Sequence, residues 1–276
     1  MELSLLAQTR GILERYNLRA QKGLSQNFLV SESILKKILE TVNPQKNETI
    51  LEVGAGLGIL TESLLKSGAN VLALEIDPKL FEILKERLQA YNNLVLHCQN
   101  ILKFSPGNQL GTQQAKGVGN LPYHLSGSIL RWFLDNRNFF SGLFFMLQKE
   151  VAERIVSSSG SKTYGVLSVL CQAFTKPEIC FFVPPEAFFP IPNVESAFLK
   201  MTPKSNFPVN EIIFTRLVKQ AFSQRRKTLY NNLKSWKILN EFEWKKILQS
   251  LDINEKIRGE ALSIHAFIKI AELISS

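Results

Sequence analysis

Four consecutive residues carry the clearest chemistry in this sequence: Asn120, Leu121, Pro122 and Tyr123. The side-chain oxygen of Asn120 and the carbonyl oxygen of Leu121 can each accept one N–H of an amino group, and the Tyr123 ring can stack on a planar base. Pro122 favours an extended backbone at the residue before it, which directs the Leu121 carbonyl outward. The segment therefore predicts a site that reads the exocyclic amine of adenine or cytosine. A proline-containing turn after a short strand is the alternative interpretation.

A glycine-rich loop lies upstream, with glycine at positions 54, 56 and 58. It follows a short apolar strand that begins at Thr49 and precedes a helix that begins near Ile59, which is the context of a nucleotide-binding loop. A dinucleotide fingerprint would require glycine at position 59, where isoleucine stands. A G-x-G-x-G loop preceded by Glu52 suits S-adenosylmethionine instead, because the sulfonium and the amino-acid end of this cofactor lack a pyrophosphate. The loop predicts a methyl-donor site and disfavours NAD.

Polar residues follow the next two predicted strands. Glu75 ends the apolar run 70–74, 21 residues after Gly54, where a carboxylate could accept both hydroxyls of a ribose. Asn100 follows the run 95–98, so its side chain would face the same crevice as Glu75.

Composition agrees with an intracellular enzyme that handles nucleic acid. With 276 residues and 45% hydrophobic content, the chain can bury a large core, and one large domain with a small one is the natural partition. The 33 basic and 24 acidic residues give a net charge of +9, which is common among nucleic-acid-binding proteins and also compatible with plain solubility. No signal peptide or membrane span is predicted, so the expected location is the cytoplasm.

The three cysteines, Cys98, Cys171 and Cys180, have no metal-binding spacing. They lie in apolar surroundings, which predicts buried free thiols rather than disulfides or zinc ligands. No metal site is expected.

The pattern of apolar residues predicts two domains. Strand-like and helical segments alternate from about residue 31 to residue 200, which is typical of a doubly wound, Rossmann-like α/β domain. The pattern breaks near residues 202–208, and a small all-helical domain is predicted beyond it. We therefore expect domains at 1–203 and 204–276. The strand leading into Asn120 is short and weakly apolar. The predicted helices are 31–41, 59–67, 78–88, 210–222, 227–236, 241–251 and 264–274.

Basic residues are concentrated in the C-terminal part. Residues 201–276 contain 13 Lys or Arg and 7 Asp or Glu, and the densest basic run is Arg225, Arg226 and Lys227. This run predicts an RNA contact, with a solvated helix start as the alternative. Residues 3–18 could form an amphipathic helix that covers the core or makes a second RNA contact.

Several motifs occur together in the order seen in one family, and the chain resembles the ribosomal RNA adenine N6-dimethyltransferases, specifically their small-subunit branch. The resemblance covers about residues 20–270. The motifs lie at 23–29, 52–58, 75–77, 119–123, 148–155, 161–165, 187–194 and 221–229.

The resemblance implies the roles of the cofactor-binding residues. Asn27 and Leu29 would close over the methionine end of S-adenosylmethionine, and Gly54 would contact it from the loop. Glu75 would bind the ribose. Asn100 stands where the family usually has Asp, and its amide oxygen could still accept from the adenine amine of the cofactor.

The same resemblance implies the substrate and the groups that hold it. Asn120 would contact both the cofactor side and the target amine, and Phe188 would stack on the base opposite Tyr123. The expected reaction is dimethylation of N6 of two adjacent adenosines in a hairpin near the 3′ end of 16S rRNA, by a monomer acting on an assembling 30S particle. No metal takes part.

Two alternatives remain at this point. Antibiotic-resistance relatives dimethylate an adenine of large-subunit (23S) rRNA and typically read Asn-Ile-Pro-Tyr, whereas Leu121 and the basic run favour the small-subunit branch. A non-catalytic RNA-binding or transcription-factor role is the second alternative.

Overall fold

The computed structural model describes residues 3–18, 26–110 and 114–275. The chain divides into two compact units. The first comprises the chain up to Ala152 together with Glu178–Pro203, and the second comprises Glu153–Pro177 together with the chain from Lys204. This arrangement differs from the linear division predicted at residues 203 and 204, since residues 153–177 belong to the second unit.

The first unit is built on a seven-stranded sheet with helices between its strands. A short two-stranded ribbon of β1 (Phe28–Leu29) and β8 (Phe188–Phe189) stands apart from this sheet. The sheet strands are β2 (Thr49–Val53), β3 (Asn70–Glu75), β4 (Leu94–Cys98), β5 (Ala115–Asn120), β6 (Phe140–Gln148), β7 (Thr175–Val183) and β9 (Ser196–Pro203). The helices are α1 (Leu5–Arg15), α2 (Glu32–Val42), α3 (Ile59–Lys66), α4 (Pro78–Arg87), α5 (Pro106–Leu110), α6 (Ser126–Asp135) and α7 (Lys149–Val156), which runs into the second unit.

The strand order is β4-β3-β2-β5-β6-β9-β7. The first five strands pair in parallel, and β9 pairs antiparallel to β6. The chain runs outward from β2 through β3 to β4 and then returns to β5, so the order reverses between β2 and β5. Ligands bind at such a reversal, beyond the carboxyl ends of the strands. The predicted doubly wound α/β fold is confirmed.

Local sequence explains where the predicted helices begin. The Ser31 hydroxyl accepts from the Ile34 amide at 3.4 Å and caps α2. Asp77 caps α4 by accepting from the Lys79 amide at 2.9 Å, and Pro78 takes the first helical position, where no amide hydrogen is needed.

Strand β5 was hard to predict because it contains Gly117 and Gly119, which are poor strand formers. The structure explains why glycine occupies both positions. A Cβ atom at position 119 would lie 2.5 Å from the Val53 carbonyl oxygen, and one at position 117 would lie 2.8 Å from the Phe133 ring. Glycine therefore lets β5 approach its neighbours closely.

The second unit is mainly helical. It contains α8 (Val166–Phe174), α9 (Glu211–Ala221), α10 (Leu229–Leu233), α11 (Glu241–Ser250) and α12 (Ile264–Ser275). Phe174 of α8 packs edge to face on Phe207 and Phe214, with ring centroids 4.8 and 5.8 Å away. The helix predicted over 227–236 is shorter than expected and begins after Thr228, whose hydroxyl caps it.

The cysteines follow the prediction only in part. All three are free and Cys171 is buried, but Cys180 is half-buried and Cys98, on the edge strand β4, is exposed. None of the helices among the described residues is long and apolar enough to cross a membrane.

Candidate active site

A cavity opens in the first unit at the carboxyl ends of β2, β3 and β5. The predicted site residues that line it are Asn27, Leu29, Gly54, Glu75, Asn120, Pro122 and Phe188. Asn100, Leu121 and Tyr123 were also predicted for the site but do not line the cavity.

Glu75 is buried at the end of β3 and organises the glycine loop. Its Oε2 accepts from the Gly56 amide at 2.8 Å, and its Oε1 accepts from the amides of Ile76 and Asp77 at 2.8 and 2.9 Å. Burial raises the pKa of the Glu75 carboxyl, although the three amide hydrogen bonds oppose the rise. A carboxylate offers about four lone-pair positions. Three are already used, so about one, on Oε2, remains for a ligand.

Glu52 is a second buried carboxyl in the cavity. Its Oε2 has no hydrogen-bond partner and its side chain is 2% exposed. Burial raises the pKa of Glu52 to about 8, and the charge of Glu75 adds to the rise, while the Thr61 side chain opposes it. An unpaired buried carboxyl that loses its proton requires a cationic partner.

The Asn120 side chain has a fixed orientation. Its Nδ2 donates to the Asn27 carbonyl oxygen at 2.9 Å. A carbonyl oxygen only accepts, so this bond identifies the nitrogen end of the amide and directs Oδ1 elsewhere. Asn120 lines the cavity, and its amide oxygen is the end that this bond leaves available as an acceptor.

Tyr123 is held by contacts at both ends. Its hydroxyl lies 3.0 Å from the hydroxyl of buried Ser196, and its carbonyl oxygen accepts from Ser126 Oγ at 3.0 Å. Leu121 is buried, and its amide donates to the Met146 carbonyl at 3.1 Å. These contacts anchor the segment around Pro122, while the predicted contacts of Leu121 and Tyr123 with a base stay predictions.

The ribbon of β1 and β8 brings two distant segments to the cavity. Leu29 pairs with Phe188 and Phe28 pairs with Phe189 in antiparallel register. The Phe28 ring lies against Gly56, since a Cβ atom at position 56 would be 3.4 Å from it. The ribbon thus places Asn27, Leu29 and Phe188 on one wall.

Asn100 has a local structural role. Its side-chain oxygen accepts from the Leu102 amide at 2.9 Å and caps a short 3-10 helix, Ile101–Lys103. An amide oxygen has two lone pairs, so one acceptor position remains. The predicted contact with the cofactor adenine stays a prediction.

The cavity suits S-adenosylmethionine in charge and hydrogen bonding. The unpaired Oε2 of Glu52 provides a place for a cation, and the remaining lone pair of Glu75 provides an acceptor for a hydroxyl. Gly54 has φ 76°, a conformation that favours glycine, and leaves the loop backbone open to a ligand. Among the residues that the structure describes, no group of three or more His, Cys, Asp or Glu side chains could hold a metal ion.

The predicted RNA contact lies in the second unit. Arg225, Arg226 and Lys227 are exposed in the loop between α9 and α10 and do not start a helix. Arg225 Nη2 donates to the Lys162 carbonyl at 2.7 Å. Buried Asn232 donates to the Gln224 carbonyl at 3.2 Å and so fixes the same loop.

The model of the family described as "Ribosomal RNA adenine dimethylase" matches residues 17–275. The chain belongs to this family. The predicted resemblance, the enzyme class and S-adenosylmethionine as methyl donor are confirmed.

Relatives of similar length support the assignment. The chain is 41% identical to the ribosomal RNA small subunit methyltransferase A of Francisella tularensis subsp. novicida, over 95% of this chain and 100% of the relative. It is 39% identical to the protein of that name from Ligilactobacillus salivarius, over 99% of this chain and 96% of the relative.

Solved structures share the fold. A dimethyladenosine transferase from Plasmodium falciparum is 27% identical, with a TM-score of 0.75 over 88% of this chain and 95% of that chain. The 23S rRNA methyltransferase ErmE is 21% identical, with a TM-score of 0.67 over 91% of this chain and 100% of that chain, and shows the fold alone.

Two features of the site were not predicted from the sequence. The sequence indicates Glu52 as a residue before the loop that suits S-adenosylmethionine, but its burial and its unpaired oxygen become evident only once the surrounding segments are placed. The packing of Phe28 on Gly56 was also missed. The apolar position 28, between the predicted site residues Asn27 and Leu29, was the only available signal.

Proposed function

We propose that this enzyme dimethylates N6 of two adjacent adenosines in a hairpin near the 3′ end of 16S rRNA, in an assembling 30S particle. The observation that carries the choice of small-subunit RNA is the 39–41% identity, over nearly the whole chain, to relatives named ribosomal RNA small subunit methyltransferase A. Leu121 agrees with it, since large-subunit relatives typically have isoleucine there. We further propose that the protein acts as a monomer in the cytoplasm.

The cofactor is proposed to occupy the cavity beside the glycine loop. Glu75 would accept one ribose hydroxyl through Oε2, because its other lone pairs are engaged by backbone amides. Glu52 would face the cationic end, and Asn27, Leu29 and Gly54 would enclose the methionine portion. Asn100 would accept from the cofactor adenine. When bound, S-adenosylmethionine supplies an activated methyl group on a sulfonium.

The target adenine is proposed to enter beside Asn120. Asn120 Oδ1 and the Leu121 carbonyl would accept hydrogen bonds from the two N6 hydrogens. These bonds would favour a pyramidal nitrogen whose lone pair points at the methyl carbon. In the transfer, an N–C bond would form as the C–S bond breaks, S-adenosylhomocysteine would leave as the neutral thioether, and the proton lost from N6 would pass to solvent. Tyr123 and Phe188 would hold the two faces of the base.

Enclosure by apolar walls supports this assignment. Phe188 is 2% exposed, and Met146 and Phe198 also line the cavity. A protein that only bound RNA would have no need of a cavity in which the acceptor side chain of Asn120 lies beside a glycine loop, so the geometry favours catalysis over the transcription-factor alternative.

The second unit is proposed to bind RNA through the exposed loop that holds Arg225, Arg226 and Lys227. Phosphate neutralisation by such a run releases counterions and positions the substrate without reading its sequence.

The decisive experiment is methyl transfer from labelled S-adenosylmethionine to undermethylated small subunits and, in parallel, to large subunits, followed by mapping of the modified base. We expect two dimethylated adenosines in small-subunit RNA and none in large subunits. Asn120→Ala serves as the inactive control. Modification of a large-subunit adenine would reject the proposed substrate, and no transfer to either particle would reject the proposed reaction.

A further inference from the structure

Helix α1 packs on the wall of the cavity without lining it. Leu13 of α1 is 8% exposed and lies in an apolar cluster with Phe28, Leu57, Leu80 and Ile83. Three members of this cluster, namely Phe28, Leu57 and Leu80, line the cavity. A change in the position of Leu13 therefore reaches the cavity through its immediate neighbours.

Polar contacts hold α1 at both ends and along its length. The Leu5 amide donates to Glu32 Oε1 of α2 at 2.8 Å, and Arg15 pairs with Glu86 of α4 at 2.7 Å. Between them, the Arg10 guanidinium lies 5.3 Å from the centre of the Phe189 ring. Helix α1 thus joins α2, α4 and the β1–β8 ribbon.

The contacts of Phe28 connect α1 to the groups that hold the cofactor. The Phe28 ring lies on Gly56, whose amide donates to Glu75. The residue before it, Asn27, accepts from Asn120. The apolar cluster that contains Leu13 and Phe28 therefore supports both the glycine loop and the segment that orients Asn120.

We infer that α1 is a positioning element for S-adenosylmethionine, and that docking of α1 through Leu13 and binding of the cofactor are thermodynamically coupled. The family model matches residues 17–275 and so leaves α1 outside the match. The inference rests on the proposed placement of the cofactor in this cavity. Coupling is reciprocal, so the cofactor must stabilise the docked helix by the same factor by which the docked helix strengthens cofactor binding.

The test uses the full chain with Leu13→Ala, the matched control Glu14→Ala on the exposed side of α1, and Glu75→Ala as a probe of the cofactor site. Calorimetry with S-adenosylmethionine should show at least about fivefold weaker binding for Leu13→Ala and wild-type binding for Glu14→Ala. When the cofactor concentration is varied, Leu13→Ala should raise the KM for S-adenosylmethionine much more than it lowers kcat, because saturating cofactor restores the docked helix. General destabilisation would not produce this split.

Hydrogen exchange on the unmodified protein provides a measurement that needs no variant, should Leu13→Ala fail to fold. The amides of α1 should exchange more slowly when the cofactor is bound. The coupling is overturned if exchange in α1 is insensitive to the cofactor, or if Leu13→Ala binds normally while Glu75→Ala binds weakly. If Glu75→Ala also binds normally, the placement of the cofactor is wrong and the coupling is rejected with it.

Discussion

The side-chain nitrogen of Asn120 donates a hydrogen bond to the carbonyl oxygen of Asn27 at 2.9 Å, which joins two segments that are 93 residues apart. The bond does more than hold the segments together. It engages the nitrogen of the Asn120 amide, so the amide oxygen is the atom left to accept another hydrogen bond, and it ties the orientation of this acceptor to the segment that forms one wall of the cavity.

Asn120→Ala should nearly abolish methyl transfer while S-adenosylmethionine still binds. Loss of one aligned hydrogen bond that acts mainly in the transition state typically costs about 100- to 1000-fold in rate. Asn120→Asp is the matched variant, because it keeps the acceptor oxygen but places a carboxylate against the Asn27 carbonyl. It should lose activity to a similar degree. Single-turnover methylation of undermethylated small subunits measures both, and a wild-type rate for Asn120→Ala would favour the simple turn interpretation.

Glu75→Ala should weaken S-adenosylmethionine binding for two reasons. One charge-assisted hydrogen bond to ribose is lost, worth roughly 1.5–3 kcal/mol. The Gly56 amide also loses its partner, so the loop is less well ordered before binding. Calorimetry checks the affinity. Glu75→Gln should bind better than Glu75→Ala but worse than the wild type, since an amide group replaces one acceptor oxygen with a donor. Unchanged affinity in both variants would remove Glu75 from the site.

Glu52 should make stability depend on pH in the absence of the cofactor. Its pKa is about 8 in the folded protein, above the ordinary value of a glutamate. Between these two values the folded state holds a proton that the unfolded state has released, so the free energy of unfolding should fall as pH rises, by at most about 1.4 kcal/mol per pH unit. It should change little above the folded pKa.

Glu52→Gln should flatten this fall, and denaturant unfolding at a series of pH values measures the difference. Glu75, whose pKa is also raised, is present in both proteins, so the difference between them measures the ionisation of Glu52 together with its interaction with the Glu75 charge. Equal pH slopes for the wild type and Glu52→Gln would show that Glu52 ionises as an ordinary carboxyl.

Arg226→Ala combined with Lys227→Ala should weaken RNA binding and lower the log–log salt slope by about two units, because two phosphate contacts are lost. Cofactor binding should be unaffected. Lys36→Ala combined with Lys37→Ala on α2 makes the same change in charge and serves as the control. Titrations of RNA binding at several salt concentrations provide the slope. An unchanged slope would mean that Arg226 and Lys227 merely face solvent.

Arg225 should behave differently from its two neighbours. Its guanidinium donates to the Lys162 carbonyl, so Arg225→Ala should both remove a charge and loosen the loop. We expect Arg225→Ala to lower the melting temperature of the protein more than Arg226→Ala does. Equal melting temperatures for the two variants would show that the contact with Lys162 contributes nothing measurable to stability.

The sequence was sufficient to predict the α/β class and most helices, because their caps and apolar spacing are local signals. Asp77 with Pro78 placed the start of α4, for example. Helix α8 was missed because it is a short and mostly apolar run, with Val169, Leu170, Cys171, Ala173 and Phe174 all buried, and such a run is hard to distinguish from a buried strand. Strand β5 was uncertain because its glycines are required by close packing against residues that are distant in the sequence.

The same limit applies to the site. Glu75 and Asn120 were predicted because each stands at a strand end in a recognisable motif. The protonation of Glu52 depends on burial by segments that the local sequence does not specify, and the contact between Arg225 and Lys162 depends on the folding of residues 153–177 with the C-terminal helices.

The two compact units cannot be separated by cutting the chain once. Residues 153–177 belong with the C-terminal helices but are continuous on both sides with the first unit. A fragment that begins at Lys204 would lack α8. Phe207 and Phe214 would then lose the Phe174 ring, on which both of them pack. A study of the second unit in isolation would require the segment 153–177 to be joined to the C-terminal helices through a new linker.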